Sequence, residues 1–188
     1  MSAALYLVVT MGSFGAFDTL YYHEWRARLP ARGRAVGTEL RLHAFRDVIY
    51  AILFSTLPTV QWRGGWMVVL LALLIAEIVI TLWDFVVEDR VRKPLGGVYP
   101  GERITHALMG INYGAMLACL APTLWLWGEE RTALILEPAP VSRAVVDVLM
   151  LMAGGVLVSG LRDFYASFEF PLSEWPWKRA AAFDGSLK

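Results

Sequence analysis

The chain has 188 residues, 57% hydrophobic and 18% charged, with 17 Lys+Arg set against 17 Asp+Glu. That balance leaves no basic surplus for nucleic acid, and the single Cys119 excludes a disulfide framework or a cysteine zinc site. Three histidines, at 23, 43 and 106, exclude mechanisms that need many imidazoles. The apolar residues instead form runs able to cross a hydrocarbon core about 30 Å thick, which takes about 20 helical residues, so the chain reads as an all-α integral membrane protein.

Five transmembrane helices are predicted, at residues 3–28, 36–59, 66–92, 101–127 and 142–163. The first has no basic leader and no small-residue cleavage site, so it reads as a retained span. The breaks fall at Leu29 to Arg34, at Arg63, Gly64 and Gly65, at Pro94 to Gly101, and in a longer loop at 128–140, each rich in Gly or Pro. Residues 1–163 form one transmembrane domain. Its four-helix core, 3–127, consists of two tandem hairpins, and the fifth helix, 142–163, covers the bundle or mediates homo-oligomerisation. Residues 164–188 read as an aromatic and basic interfacial tail around Phe168, Phe170, Trp175, Trp177, Lys178 and Arg179.

Basic residues in short loops favour the cytoplasmic side. Arg26, Arg28, Arg32, Arg34, Arg90, Arg92, Lys93, Arg103, Arg162, Lys178 and Arg179 fall on one side, and Arg63, Arg131 and Arg143 on the other. The expected topology is therefore N-terminus outside and C-terminus cytoplasmic, as in a multi-pass protein of a bacterial inner membrane.

An acidic residue at the centre of a membrane helix costs about 2.5 to 3.5 kcal/mol on insertion scales. These spans nevertheless carry Asp18, Glu39, His43, Asp47, Glu77, Asp84, Glu88, Glu102 and His106. At 100° per residue, Glu39, His43, Asp47 and Tyr50 share one stripe of the second helix. Glu77, Thr81, Asp84 and Glu88 do so on the third helix, and Glu102, His106, Met109 and Tyr113 on the fourth. The first helix offers Met11, Gly15, Asp18, Tyr22 and Trp25. Counted from the Arg-rich end, Tyr22, Glu39, Glu88 and Glu102 fall in one layer, and Asp18, His43, Asp84 and His106 one turn deeper. Four polar stripes at matching depth should face one another.

A repeat underlies this register. Glu39 to Tyr50 (ELRLHAFRDVIY) aligns without gaps to Glu102 to Tyr113 (ERITHALMGINY), and Asp18 and Asp84 occupy matching places on the preceding helices. The core therefore has approximate twofold symmetry.

Carboxylates and two histidines projecting inward from four helices resemble the ferritin-like di-metal carboxylate bundles, transposed into a membrane. The likeness is one of arrangement: that family spaces Glu and His at i, i+3, whereas Glu39–His43 and Glu102–His106 stand at i, i+4. It implies two divalent ions held by Glu39, His43, Glu102 and His106, with Glu88 able to bridge them; Asp18 and Asp84, at matching depth, complete the expected ligand set, and mixed Asp, Glu and His donors suit Zn, Fe or Mn. The function expected first is hydrolysis of an amphiphilic or membrane-proximal substrate by metal-activated water, with Glu88 or Asp47 as the base. A di-iron oxidoreductase acting on a lipid or quinone comes second, with Tyr22, Tyr50 and Tyr113 near, and a divalent-metal transporter or sensor third.

The remaining polar residues have plainer readings. His23 and Glu24 lie 100° or more off the Asp18 stripe and are expected to snorkel or pair at the interface, so that His43 and His106, not His23, should be needed for metal. Tyr22 is either a ligand or, in the preferred reading, a hydroxyl that backs one. Asp47 is either a third ligand on its helix or a partner of Arg46. Glu77 is expected to face Tyr50 or Tyr113 as a neutral acid, or to line a proton path. Gly110, Gly114 and Ala118, and Gly155 with Ser159, suggest close helix packing. Asp147, Arg162 and Asp163 carry no functional expectation.

Overall fold

A computed structural model describes residues 1–178. The chain is mostly helical, as its apolar runs require. Helix α1 (Ser2–Phe17) runs without a break into a π-helical segment, Asp18–Ala27, which ends at Arg28 with a left-handed φ of 54°. A short helical turn, Leu29–Arg32, and a 3-10 turn, Gly33–Val36, lead into α2 (Gly37–Thr56). Strand β1 (Val60–Arg63) precedes α3 (Gly65–Arg92); α4 (Pro100–Gly128), strand β2 (Ala133–Leu136) and α5 (Arg143–Ser167) complete the order.

Four of these segments are long and apolar enough to cross a membrane: Ser2–Ala27, Gly65–Leu95, Pro100–Gly128 and Arg143–Ser167. Helix α2 is not among them, because Glu39, Arg41, Arg46 and Asp47 lower its hydropathy. The outer surface of α3 is apolar and open, with Val79, Leu82, Trp83 and Val86 each more than half exposed.

The breaks expected around Arg63 and at 128–140 are more than loops. They pair as an antiparallel ribbon, with Val60 opposite Leu136 and Arg63 opposite Ala133, and Trp62 is buried beneath it. Gly64, at φ +57°, makes the turn into α3, and a Cβ there would lie 2.6 Å from the Thr132 backbone nitrogen. This pairing satisfies backbone groups that two separate loops would leave open.

Two apolar clusters bracket a polar layer. The larger holds Leu5, Val8, Leu53, Leu70, Leu120 and Leu149, and the smaller holds Leu29, Val36, Leu40 and Ala166. Along α2 the polar layer falls between Leu40 and Ile49, and along α5 between Ala166 and Ala153.

Helix α5 extends to Ser167, past the expected end at 163, and is part of the core. A Cβ on Gly160 would lie 2.7 Å from the Asp47 Cβ, so the missing side chain is what lets α5 close on α2. The stripes of small residues behave differently: Gly110 and Gly114 on α4, and Gly155 on α5, face open space. The tail folds back, with Trp177 Nε1 donating to Glu24 Oε2 at 3.2 Å and the Arg28 guanidinium 4.5 Å over the Trp177 ring. Arg179, counted with the basic side, lies outside the described residues.

Candidate metal centre

The π-helical segment begins at Asp18 and decides the composition of the site. Five residues of α-helix turn 500°, which leaves residues 18 and 23 about 140° apart. In a π-helix the bonds run from i to i+5, so residues five apart stack on one face. His23 therefore turns inward beneath Asp18 and is only 5% exposed, contrary to the expected interfacial position.

Glu102 is the third residue of α4, where its carboxylate meets the free N–H groups and the positive end of the helix dipole. Its Oε2 accepts the Tyr99 backbone N–H at 3.3 Å, with Pro100 opening the helix. One turn on, His106 is held by the Phe85 ring, stacked at 5.2 Å. Glu39 stands in the matching third position of α2.

Asp18, His23, Glu102 and His106 each present a ligand atom, and these four atoms lie within 4.8 Å of one another. His106 Nε2 is 3.2 Å and His23 Nε2 3.3 Å from Asp18 Oδ2, and His23 Nε2 is 3.2 Å from Glu102 Oε1. Donors that share a tetrahedral ion at about 2.0 to 2.1 Å stand about 3.3 to 3.4 Å apart, so this spacing suits a single ion. Mixed imidazole and carboxylate donors suit Zn, Fe or Mn. Beyond His106, its Nδ1 faces Glu88 Oε1 at 3.5 Å, the position of a carboxylate that orients a metal-bound imidazole.

The repeat places a mirror set in the other half. His43 Nε2 is 3.1 Å from Asp84 Oδ2, as His106 is from Asp18, and His43 Nδ1 is 3.6 Å from Asp163 Oδ2, as His106 is from Glu88. Here Arg46 Nη1 donates to Asp84 Oδ2 at 3.3 Å. The residue aligned with Arg46 in the repeat is Met109, which brings no charge to Asp18. The His23 and His43 rings stack across the two halves at 4.6 Å.

Arg92, counted above with the basic residues of the cytoplasmic side, is 1% exposed. Its Nη1 donates to Glu102 Oε1 at 2.6 Å, its Nε donates to Glu39 Oε1 at 2.7 Å, and its Nη2 also bonds Glu39. One guanidinium thus ties the two repeat-related glutamates together, where the arrangement read from sequence had a metal on each.

Electrostatics leave room for a cation. Asp18, Glu39, Asp84, Glu88, Glu102 and Asp163 are buried against two guanidinium groups, Arg46 and Arg92, which leaves four negative charges for protonated imidazoles or a bound cation to balance. Several buried atoms there have no hydrogen-bond partner, among them Asp18 Oδ1, His23 Nε2 and Glu88 Oε2 in one half and Glu39 Oε2, Asp84 Oδ1 and His43 Nε2 in the other. Buried polar atoms in proteins are overwhelmingly paired, and a bound cation is one of the standard reasons for an exception.

The structure thus brings together Asp18, Glu102 and His106 of the expected ligands and adds His23. It sets Glu88 behind His106, and places Glu39, His43 and Asp84 in the ion-paired half. Asp47 is not among the four clustered ligands and does not carry the Arg46 bond; it packs against Gly160. Glu77 accepts from Tyr50 Oη at 2.7 Å and Thr81 Oγ1 at 2.8 Å, while Tyr113 donates to the Leu74 carbonyl at 3.0 Å. Tyr22 sits in an aromatic group with Phe17, Tyr21 and Tyr99. Glu24 pairs with Arg162. His23, Arg92 and Asp163 are the polar residues that stripe reasoning missed. The repeat held a partial signal for Arg92, which aligns with Arg26, but nothing in the pattern announces a π-helix.

Comparison of the chain with protein-family models, curated proteins and solved structures gives no match in any of the three.

Proposed function

We propose that the protein is a metal-dependent hydrolase embedded in a membrane by five helices, with its N-terminus outside, its C-terminus cytoplasmic and an amphiphilic substrate. Four apolar helices support the membrane reading, and α2 joins them as a fifth span because Glu39, His43 and Arg46 turn into the bundle. The observation that carries the functional reading is the convergence of Asp18, His23, Glu102 and His106 at the spacing of one ion's ligands.

In this reading those four residues hold one divalent ion, Zn, Fe or Mn. When bound, the ion polarises a carbonyl or phosphoryl oxygen and lowers the pKa of a water. The chain's own groups do the rest. Arg92 holds Glu102, and Phe85 and Glu88 fix the His106 ring, Glu88 from its Nδ1 side. A cleft lined by Phe85, Glu88, Asp89, Val98, Arg103 and His106 reaches these groups from the Arg-rich end.

A second reading, a two-ion oxygen-activating centre of the ferritin-like kind, draws on the unpaired Glu39 Oε2, Asp84 Oδ1 and His43 Nε2 as donors for another ion. Elemental analysis of the untagged protein, before and after reconstitution with Zn, Fe or Mn, separates the two. One ion per chain, absent from H23A and H106A, with metal-dependent cleavage of an acyl ester in micelles, supports hydrolysis. Two Fe per chain without cleavage supports oxidation. No metal under any loading ends both readings.

A further inference from the structure

A cavity of about 380 Å³ opens between α1 and α5 and is floored by α2. This is within the range of about 300 to 1,000 Å³ typical of small-molecule sites. Its body is apolar, formed by Met11, Gly15, Phe54, Met152, Gly155 and Val156, and one end is polar, formed by Asp18, Arg46, Asp47 and Arg162. From Met152 to Arg162 the α5 wall runs about 15 Å at 1.5 Å per residue. Asp18 belongs both to this end and to the four-ligand cluster. The polar end of the cavity therefore abuts the candidate metal centre at Asp18.

We infer that this groove seats one hydrocarbon chain of a membrane lipid, entering sideways between α1 and α5, with the linkage to its head group lying at Asp18. For what happens at that linkage, the inference rests on the hydrolase reading. The helices that frame the groove, Ser2–Ala27 and Arg143–Ser167, are both apolar enough to span a bilayer, so the mouth opens where acyl chains are the solvent. Gly15 and Gly155 line opposite walls, and a Cβ on either meets nothing within 4 Å, so the groove owes its width to them. A second cleft, of about 270 Å³ between α3 and α4, is lined by Glu77, Thr81 and Tyr50. A hydrocarbon chain there would strip water from polar groups at a cost. Tyr50 lines the α1–α5 groove too, but its hydroxyl is already donated to Glu77, and neither Glu77 nor Thr81 lines that groove.

The test uses the full chain in phosphatidylcholine nanodiscs doped with phosphatidylcholine carrying a photoactivatable diazirine on one acyl chain, with adducts mapped by mass spectrometry. Adducts concentrate on Met11, Met152 and Val156 relative to Val79 and Val86, which are 55% and 62% exposed on α3. Filling the groove with G155L, or with G15L from the opposite wall, lowers groove labelling about tenfold, the factor that goes with losing about 1.4 kcal/mol of binding. G154L, which also faces open space but does not line the groove, leaves labelling unchanged. Equal labelling of the groove and of α3, or groove labelling untouched by both G155L and G15L, overturns the inference. Metal content reports separately: labelling that persists in a protein unable to bind metal keeps the lipid seat and removes the hydrolase.

Discussion

The two halves of the repeat start from nearly the same residues and reach different ends. In one, His106 lies between Asp18 and Glu88; in the other, His43 lies between Asp84 and Asp163, at nearly the same distances. What separates them is the neighbour each aspartate acquires. Arg46 bonds Asp84 and closes that half as an ion pair, whereas Met109 gives Asp18 no such bond and the π-helix swings His23 into the space. One side chain three residues past each histidine thus decides between an internal ion pair and a cluster of potential ligands. Symmetric positions can be inherited together while only one of them keeps the open donors that chemistry needs.

The sharpest way to break this comparison is to remove each histidine in turn. H106A and H23A are expected to take bound metal from about one ion per chain to near zero, while H43A retains it; elemental analysis after size exclusion decides. Equal retention in all three would erase the distinction between the halves. The converse exchange sharpens it: R46M should free Asp84 and let the second half take an ion, and M109R should supply a guanidinium to Asp18 and expel the first.

The next largest effect concerns the residue that joins the halves. R92M leaves Glu39 and Glu102 buried without their shared cation and should cost about 3 to 5 kcal/mol, read as a lower thermal unfolding temperature in detergent. The triple variant R92M/E39Q/E102Q should recover much of that loss, because no uncompensated charge is left behind. An R92M protein as stable as the parent would show that the bridge holds nothing together.

Smaller effects separate the two carboxylates that flank the histidines from outside. E88Q should weaken metal binding about 10- to 100-fold by loosening the His106 ring, as measured by competition with a chromophoric chelator. D163N, its counterpart beside His43, should leave metal affinity unchanged and cost about 1 kcal/mol of stability. A metal defect in D163N would mean that the second half also takes part in binding.

Much of the architecture was legible before any coordinates. The stripes on α2, α3 and α4 follow from helical periodicity, a local property, and the repeat fixes which levels face each other. Asp18, Glu102 and His106 were found that way. His23 was not, because its placement depends on ten residues that wind as a π-helix, which periodicity at 100° per residue cannot anticipate. Arg92 counts in the sequence among the basic residues of the cytoplasmic side because its charge and its place at a helix end match the ordinary positive-inside pattern; only packing shows that it reaches back to two glutamates. Asp163 and the β-ribbon needed the docking of distant segments, α5 on α2 and residues 60–63 on 133–136.

By itself, then, the sequence determined the helical class, the apolar runs, the depth of the polar layer and its near-twofold pattern, since each depends on neighbours a few residues apart. The tertiary structure decided which half gathers potential ligands and which is sealed by arginine. That choice depends on how far long side chains reach across a packed interior, and on a change of helical winding that only the surrounding helices hold in place.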